Sequence, residues 1–104
     1  MRSYDDLVDS FRGNPRNVCT TPKNGQPPRW FWVSVTGSQI YVESGKTKEM
    51  NSRIQGRRAL NRGKFDDMLE LYHRRERGES VSSEATAKTH NQVYWFGILK
   101  EMNA

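Results

Sequence analysis

This 104-residue sequence has one cysteine, two histidines and no long apolar run. Because Cys19 has no second cysteine to pair with, the chain forms no internal disulfide and has no cysteine-based metal site. No run of about 18 apolar residues is present, which argues against a membrane-spanning helix. The N-terminal MRSYDDLVDS has acidic residues and no apolar centre, so we expect no secretory signal. These features predict a cytoplasmic protein with no membrane partner.

Motifs for catalysis and metal binding are also missing. His73 and His90 do not stand in a His-x-His or HExxH spacing, so we expect no metal and no cofactor. Asp66 and Glu70 are four residues apart, but acidic side chains near the start of a helix more often stabilise its dipole. No Walker-type glycine loop and no G-x-S-x-G motif occurs. The sequence therefore indicates no catalytic residues, and an enzyme is the least favoured function.

What the chain does contain is enough large apolar side chains for a small core. Only 34% of its residues are hydrophobic, but three Trp, four Tyr and four Phe are among them. Disordered segments lack such side chains. A chain of this length suits one domain. We therefore expect residues 1–104 to fold as a single domain.

Apolar residues recur at helical spacing in residues 3–13 and again in residues 64–77. Ser3 suits the N-cap of the first helix. A third helix is predicted to begin at Ser82 or Ser83, for the same reason. The apolar stripes consist of Tyr4, Leu7, Val8 and Phe11 in the first helix and Phe65, Met68, Leu69 and Tyr72 in the second.

The stretch WFWVSVTGSQIYVE lies within a predicted β-hairpin at residues 29–43. Gly37 and Ser38 suit the two central positions of a type II′ turn, which pairs Val35 with Ile40. Alternation along the two strands then defines two faces. One face holds Phe31, Val33, Val35, Ile40 and Val42, and the other holds Trp30, Trp32, Ser34, Tyr41 and Glu43.

Two further segments are harder to assign. Residues 44–63 are basic and interrupted by glycines, so we interpret them as mostly irregular, with a short strand near 53–55. Residues 93–99 are apolar throughout, and periodicity does not separate a buried strand from a buried helix there, although the residue types favour a strand.

A short strand is predicted within residues 16–21. The expected fold class is α+β, a small antiparallel sheet built on the 29–43 hairpin with two or three helices packed on it.

Positive charge is concentrated in one part of the chain. The net charge is +5, and residues 46–64 contain seven Lys or Arg against one acid, Glu49. Arginine suits phosphate because its planar guanidinium donates two parallel hydrogen bonds. The sequence therefore predicts a nucleic-acid-binding surface, with a solvated surface of arginines paired to glutamates as the alternative. The candidate residues are Arg53, Arg57, Arg58, Arg62, Lys64, Arg74 and Arg75.

Trp30, Trp32 and Tyr41 on the second hairpin face need an explanation of their own. They either stack on unpaired bases, or bury against the C-terminal run with Tyr94 and Trp95, or form an interface with another copy of the chain. Because an uncovered aromatic patch is a liability on a monomer, a homodimer is a second expectation. The alternative function is therefore a homo-oligomeric protein-interaction or small-ligand-binding module without catalysis.

The order of several segments resembles that of small bacterial proteins encoded in integron gene cassettes, which are carried on mobile DNA. The resemblance spans Thr21 to Leu99 and implies a cytoplasmic, single-domain accessory protein of a kind that is often oligomeric. It implies no chemistry and carries over no site residues. The segments are WFWVSVTGSQIYVESG, GRRAL, FDDMLELYHRRERGE, SSEA and NQVYWFGIL.

Overall fold

The computed structural model describes residues 3–104. Over that range, four α-helices accompany one four-stranded antiparallel sheet, which confirms the predicted α+β fold class. The helices are α1 Tyr4–Arg12, α2 Phe65–Glu76, α3 Ser82–Lys88 and α4 Gln92–Glu101, with a 3-10 turn at Arg62–Lys64. The strands are β1 Arg16–Cys19, β2 Trp30–Thr36, β3 Gln39–Ser44 and β4 Arg57–Leu60. Their order in the sheet is β1-β2-β3-β4, so each strand pairs with its neighbour along the chain.

The hairpin of β2 and β3 has the predicted turn and register. Thr36 pairs with Gln39 across the two-residue turn, and Val35 pairs with Ile40. Gly37 has a φ of 62°, whereas Ser38 is not among the residues with positive φ, as a type II′ turn requires. Glycine adopts this conformation without the steric cost that a Cβ would bring.

The first three helices begin where the sequence predicts, although the N-cap of α3 is Val81 and no serine side chain caps it. Ser3 Oγ accepts a hydrogen bond from the Asp6 amide at 3.3 Å, and Asp6 Oδ2 accepts one from the Ser3 amide at 3.1 Å. This capping box satisfies two backbone donors at the start of α1. In α2 the apolar stripe differs slightly from expectation, because Leu71 is buried while Leu69 is only half-buried.

Residues 93–99 lie within α4, so the preference for a strand there is wrong. Every residue from Tyr94 to Leu99 is buried, which explains why the segment has no polar face and no helical periodicity. A Cβ on Gly97 would lie 2.6 Å from the carbonyl oxygen of Cys19 and 2.9 Å from the ring of Phe31. The glycine therefore lets α4 approach the sheet closely. Helix α4 is also a fourth helix, where two or three were expected.

The basic segment at residues 44–63 also differs from expectation. Its strand is β4 rather than residues 53–55, and β4 pairs with β3 so that Leu60 lies opposite Ile40. Ile54 is an irregular but buried anchor whose amide and carbonyl both bond to Ser44 Oγ, at 2.7 and 3.0 Å. A strand with one buried residue at the sheet edge has too little alternation to be recognised from sequence.

The hydrophobic core lies between one face of the sheet and the helices. Helix α1 packs on β2 and β3, and α4 packs against β1. The sheet residues that are buried in this core are Val18, Phe31, Val33, Ile40, Val42 and Leu60. The helices thus cover the face that the hairpin pattern predicts to be apolar.

The hydroxyl of Tyr4 fastens α1 to the sheet. It donates a hydrogen bond to the carbonyl oxygen of Leu60 at 2.6 Å. It also accepts bonds from the Ile40 amide at 2.8 Å and from Gln39 Nε2 at 2.9 Å. Tyr4 is 2% exposed, and this burial raises the pKa of its hydroxyl.

Replacing Tyr4 with phenylalanine is expected to lower the free energy of unfolding by about 1–2 kcal/mol, because the buried amide of Ile40 loses its partner. Urea denaturation followed by circular dichroism measures the change. Tyr94→Phe is the matched control, since Tyr94 is also buried but its hydroxyl makes no hydrogen bond within residues 3–104. Equal effects of the two variants would contradict the assigned role of Tyr4.

A candidate nucleic-acid interface on the open face of the sheet

The sheet face opposite the helices, here called the open face, carries the aromatic side chains of the hairpin. Trp32 pairs with Asn17 in β1 and with Glu43 in β3, and Glu43 pairs in turn with Arg57 in β4. Residues that lie opposite each other in neighbouring strands share one face of the sheet, so all four lie on the same face. No residue of the open face is buried, and Trp30 is 36% exposed. The open face includes Asn17, Cys19, Trp30, Trp32, Ser34, Thr36, Tyr41, Glu43, Arg57 and Ala59.

The C-terminal run does not cover this face. Helix α4 lies on the core side, where Trp95 is fully buried and the ring of Tyr94 lies 5.0 Å from that of Phe31. The alternative in which Tyr94 and Trp95 bury the hairpin aromatics is therefore wrong. It fails because the run is a helix that packs on the sheet face carrying Phe31 and Val18.

Two cations lie over the open-face rings. Lys46 Nζ is 4.5 Å from the ring centroid of Trp32, and Arg57 Cζ is 3.7 Å from that of Tyr41. Lys46 Nζ is also 3.1 Å from Glu43 Oε1. A cation–π contact at an exposed site stabilises by only about 0.5–1 kcal/mol. Both side chains can therefore leave the rings when a better partner arrives.

The backbone of Lys46 is held in place from β1. The Lys46 amide donates to Asn17 Oδ1 at 2.8 Å, and Asn17 Nδ2 donates to the Lys46 carbonyl at 3.3 Å. Because Asn17 pairs with Trp32 in the sheet, this clamp keeps Lys46 beside that ring. Sequence reasoning left Lys46 out of the candidate site, and the only available signal was its position just after β3 in the basic segment.

The spacing of the three aromatic rings suits bases that are not stacked on each other. Trp30 and Trp32 are two residues apart in β2, which separates them by about 6.7 Å along the strand. Tyr41 lies opposite Ser34, so it is a diagonal neighbour of Trp32 at roughly 7–8 Å. Stacked bases are about 3.4 Å apart along one strand. Neighbouring bases must therefore separate to occupy neighbouring rings.

The structure brings only one of the candidate arginines, Arg57, to the aromatic rings. Arg58 is its neighbour in β4 and lies on the opposite side of the strand, where Nη1 donates to Asn91 Oδ1 at 3.4 Å. Arg62 Nη1 lies 2.9 Å from Asp5 Oδ1, and its guanidinium lies over the ring of Tyr4 at 4.5 Å. Arg53 is exposed in the segment before β4, and Lys64 is half-buried in the 3-10 turn.

Arg74 links helices instead of contributing to a basic surface. It pairs with Glu84 at 2.7 Å and with Glu79 at 2.9 Å, and Glu70 lies 4.0 Å away. Hydrogen bonds to the two nearer carboxylates raise the pKa of Arg74, and the same bonds lower the pKa of Glu84 and Glu79. Arg75 is occupied with Thr21 and Phe96 on the helix side. A cluster of arginines in sequence is therefore distributed over several surfaces.

The part of the chain that the structure describes contains neither a candidate metal-binding cluster nor a helix suited to cross a membrane. From residue 3 to residue 104, no three His, Cys, Asp or Glu side chains are close enough together to hold a metal ion. Over the same range, none of the helices has the length and apolar character needed to cross a bilayer. No family model, curated protein or solved structure matches this chain. The resemblance to integron-cassette proteins therefore stays a prediction.

Proposed function

We propose that this chain is a cytoplasmic protein that binds single-stranded nucleic acid on its open face. The observation that carries the proposal is the placement of Lys46 and Arg57 over the rings of Trp32 and Tyr41 on a sheet face without a covering helix. Stacking of a base on an aromatic ring is worth ~1–3 kcal/mol, and it is available to every base. The two cations supply contacts to the phosphates between the bases.

Binding proceeds by exchange of partners over the rings. A base stacks on Trp32 or Tyr41 and displaces the cation there, which then reaches a neighbouring phosphate. Lys46 suits this exchange because its side chain is 53% exposed and its ammonium is carried on a flexible stem. Arg57 adds a guanidinium that donates two parallel hydrogen bonds to phosphate.

A single strand fits this face better than a duplex. Bases within a duplex are stacked and paired, so a duplex offers the open face mainly its phosphates, which two cations bind weakly. A single strand exposes the flat surface of its bases to the rings. We therefore expect the preference for single strands to depend on the aromatic residues and the salt dependence to depend on Arg57 and Lys46.

A second copy of this chain is the competing occupant of the open face, because aromatic residues are enriched at protein interfaces. Charge disfavours that arrangement. Each copy would bring Arg57 and Lys46 to the contact with a single carboxylate, Glu43, which Lys46 already pairs with. Nucleic acid complements this charge, and self-association is an outcome that the experiment below detects.

The test compares Arg57→Ala with Arg58→Ala, two variants with the same charge change on opposite sides of β4. Fluorescence anisotropy of a labelled single-stranded oligonucleotide, measured at several salt concentrations, provides the affinity and its salt dependence. We expect Arg57→Ala to weaken binding and to reduce the slope of log K against log salt by about 0.7, the value for one phosphate contact of a single strand. Arg58→Ala should leave both quantities near their wild-type values.

Three results would contradict the proposal. The first is no binding by the wild type at low salt. The second is an equal loss in both variants, which would indicate a general effect of net charge. The third is a stable dimer in light scattering that becomes a monomer in Trp32→Ala, because the open face would then be a contact between two copies of the chain.

A further inference from the structure

A cavity of about 230 Å³ lies on the helix side of the sheet, between the loop that follows β1 and helices α2 and α4. Its apolar walls come from Pro22, Pro27, Val93 and Phe96, and its polar groups include Thr21 and Arg75. The open face and this cavity are separate, since Val93 and Phe96 belong to α4 on the other side of the sheet. The proposed nucleic-acid surface therefore does not account for it.

Arg75 provides a half-buried positive charge in this cavity. Its guanidinium donates to Thr21 Oγ1 at 3.0 Å and to the Thr21 carbonyl oxygen, and it lies 4.9 Å from the ring centroid of Phe96. No carboxylate forms an ion pair with Arg75 within residues 3–104, whereas Arg74 in the same helix and Arg77 just after it each have at least one. Burial lowers the pKa of Arg75, and the nearby carboxylate of Glu76, which is paired with Lys100 and Lys23, partly opposes this shift.

The remaining lining adds positive charge and no negative charge. Arg29 is the second cation, and no Asp or Glu is among the residues that line the cavity. A guanidinium has five N–H donors, and Thr21 occupies only part of that capacity. A ligand carboxylate can therefore bind to Arg75 while Thr21 continues to orient it.

The wall opposite the helices is held in shape before any ligand arrives. The Thr20 amide donates to the Arg29 carbonyl oxygen at 2.9 Å, and the Arg29 amide donates to Thr20 Oγ1 at 2.9 Å. These bonds join the two ends of the loop. Pro22 and Pro27 restrict the backbone between those ends, which reduces the entropy lost on binding.

We infer that this cavity binds a small organic carboxylate with an apolar body, of about the size of benzoate. The carboxylate pairs with Arg75, and the apolar body contacts Phe96 and Val93. Val93 is 45% exposed at this position, so a ligand would remove apolar surface from water. The volume corresponds to about eight water molecules, which limits the ligand to a single ring or a short chain.

The test titrates the full chain with sodium benzoate and follows the backbone amide signals by NMR. We expect saturable shifts that are largest at Thr21, Val93 and Phe96. Benzamide, which has the same shape without the charge, should bind at least about tenfold more weakly, because it lacks the charge-assisted hydrogen bonds to the guanidinium. Inorganic phosphate, which lacks an apolar body, should also bind more weakly than benzoate.

Three variants separate a binding role of Arg75 from a structural one. Arg75→Gln should weaken benzoate binding at least about tenfold, while Arg77→Gln, with the same charge change outside the cavity, should not. Val93→Glu places a carboxylate at an exposed position of the rim, so it should abolish binding without loss of fold even if Arg75→Gln destabilises the chain. Equal binding of benzamide and benzoate, tighter binding of phosphate, or shifts outside the cavity would overturn the inference.

Discussion

Replacing both Trp32 and Tyr41 with alanine is expected to weaken binding of a single-stranded oligonucleotide by about 30-fold or more. Each ring offers ~1–3 kcal/mol of stacking, so loss of two rings removes at least about 2 kcal/mol. Neither side chain belongs to the hydrophobic core, and both lie on the open face. The variant should therefore fold, losing at most the two cation–π contacts with Lys46 and Arg57.

Anisotropy titrations of the double variant and of each single variant measure this effect. Trp32→Phe and Tyr41→Phe are the matched controls, because phenylalanine keeps a ring on which a base can stack. We expect the phenylalanine variants to retain most of the affinity. An alanine double variant that binds as tightly as the wild type, with an unchanged melting temperature, would exclude the open face as the binding surface.

Replacing Gly97 with valine is expected to lower the free energy of unfolding by about 3 kcal/mol, at the upper end of the usual cost of overpacking. A Cβ at this position would lie 2.6 Å from the Cys19 carbonyl oxygen, which belongs to the sheet backbone. It would also lie 2.9 Å from the ring of Phe31, which is fully buried. Helix α4 would have to move away from β1, and the core contacts of both elements would weaken.

Urea denaturation monitored by tryptophan fluorescence tests this effect, since the fully buried Trp95 is in the same helix. Gly13→Val is the control, because a Cβ at Gly13 meets nothing within 4 Å and the residue has an ordinary φ of −91°. We expect the control to change stability far less than Gly97→Val. If Gly97→Val were as stable as the wild type, the close approach of α4 to the sheet would be wrong.

The local elements that the sequence predicts correctly are those with their own chemical signals. Ser3 caps α1 as the sequence predicts, and the Gly37-Ser38 turn sets the hairpin register, within a few residues of chain. These interactions form between near neighbours and need no tertiary partner. The same is true of the alternation that separates Phe31 from Trp30 and Trp32.

The errors concern segments whose structure depends on distant contacts. Residues 93–99 lie in a helix that is buried from Tyr94 to Leu99, where Gly97 packs against the sheet backbone at Cys19, a contact between parts of the chain far apart in sequence. Strand β4 exists because Leu60 and Ala59 pair with residues of β3, and its own sequence has little strand character. Neither partner can be identified from a short window of sequence.

For the candidate site, sequence alone establishes that Trp30, Trp32 and Tyr41 share a sheet face and that the chain carries excess positive charge. Only the tertiary structure decides which charges meet those rings. It brings Lys46 and Arg57 to them, and it directs Arg74 to glutamates and Arg75 into a cavity. The physical reason is that alternation is a property of one strand, whereas the surroundings of a charged side chain depend on the packing of several elements.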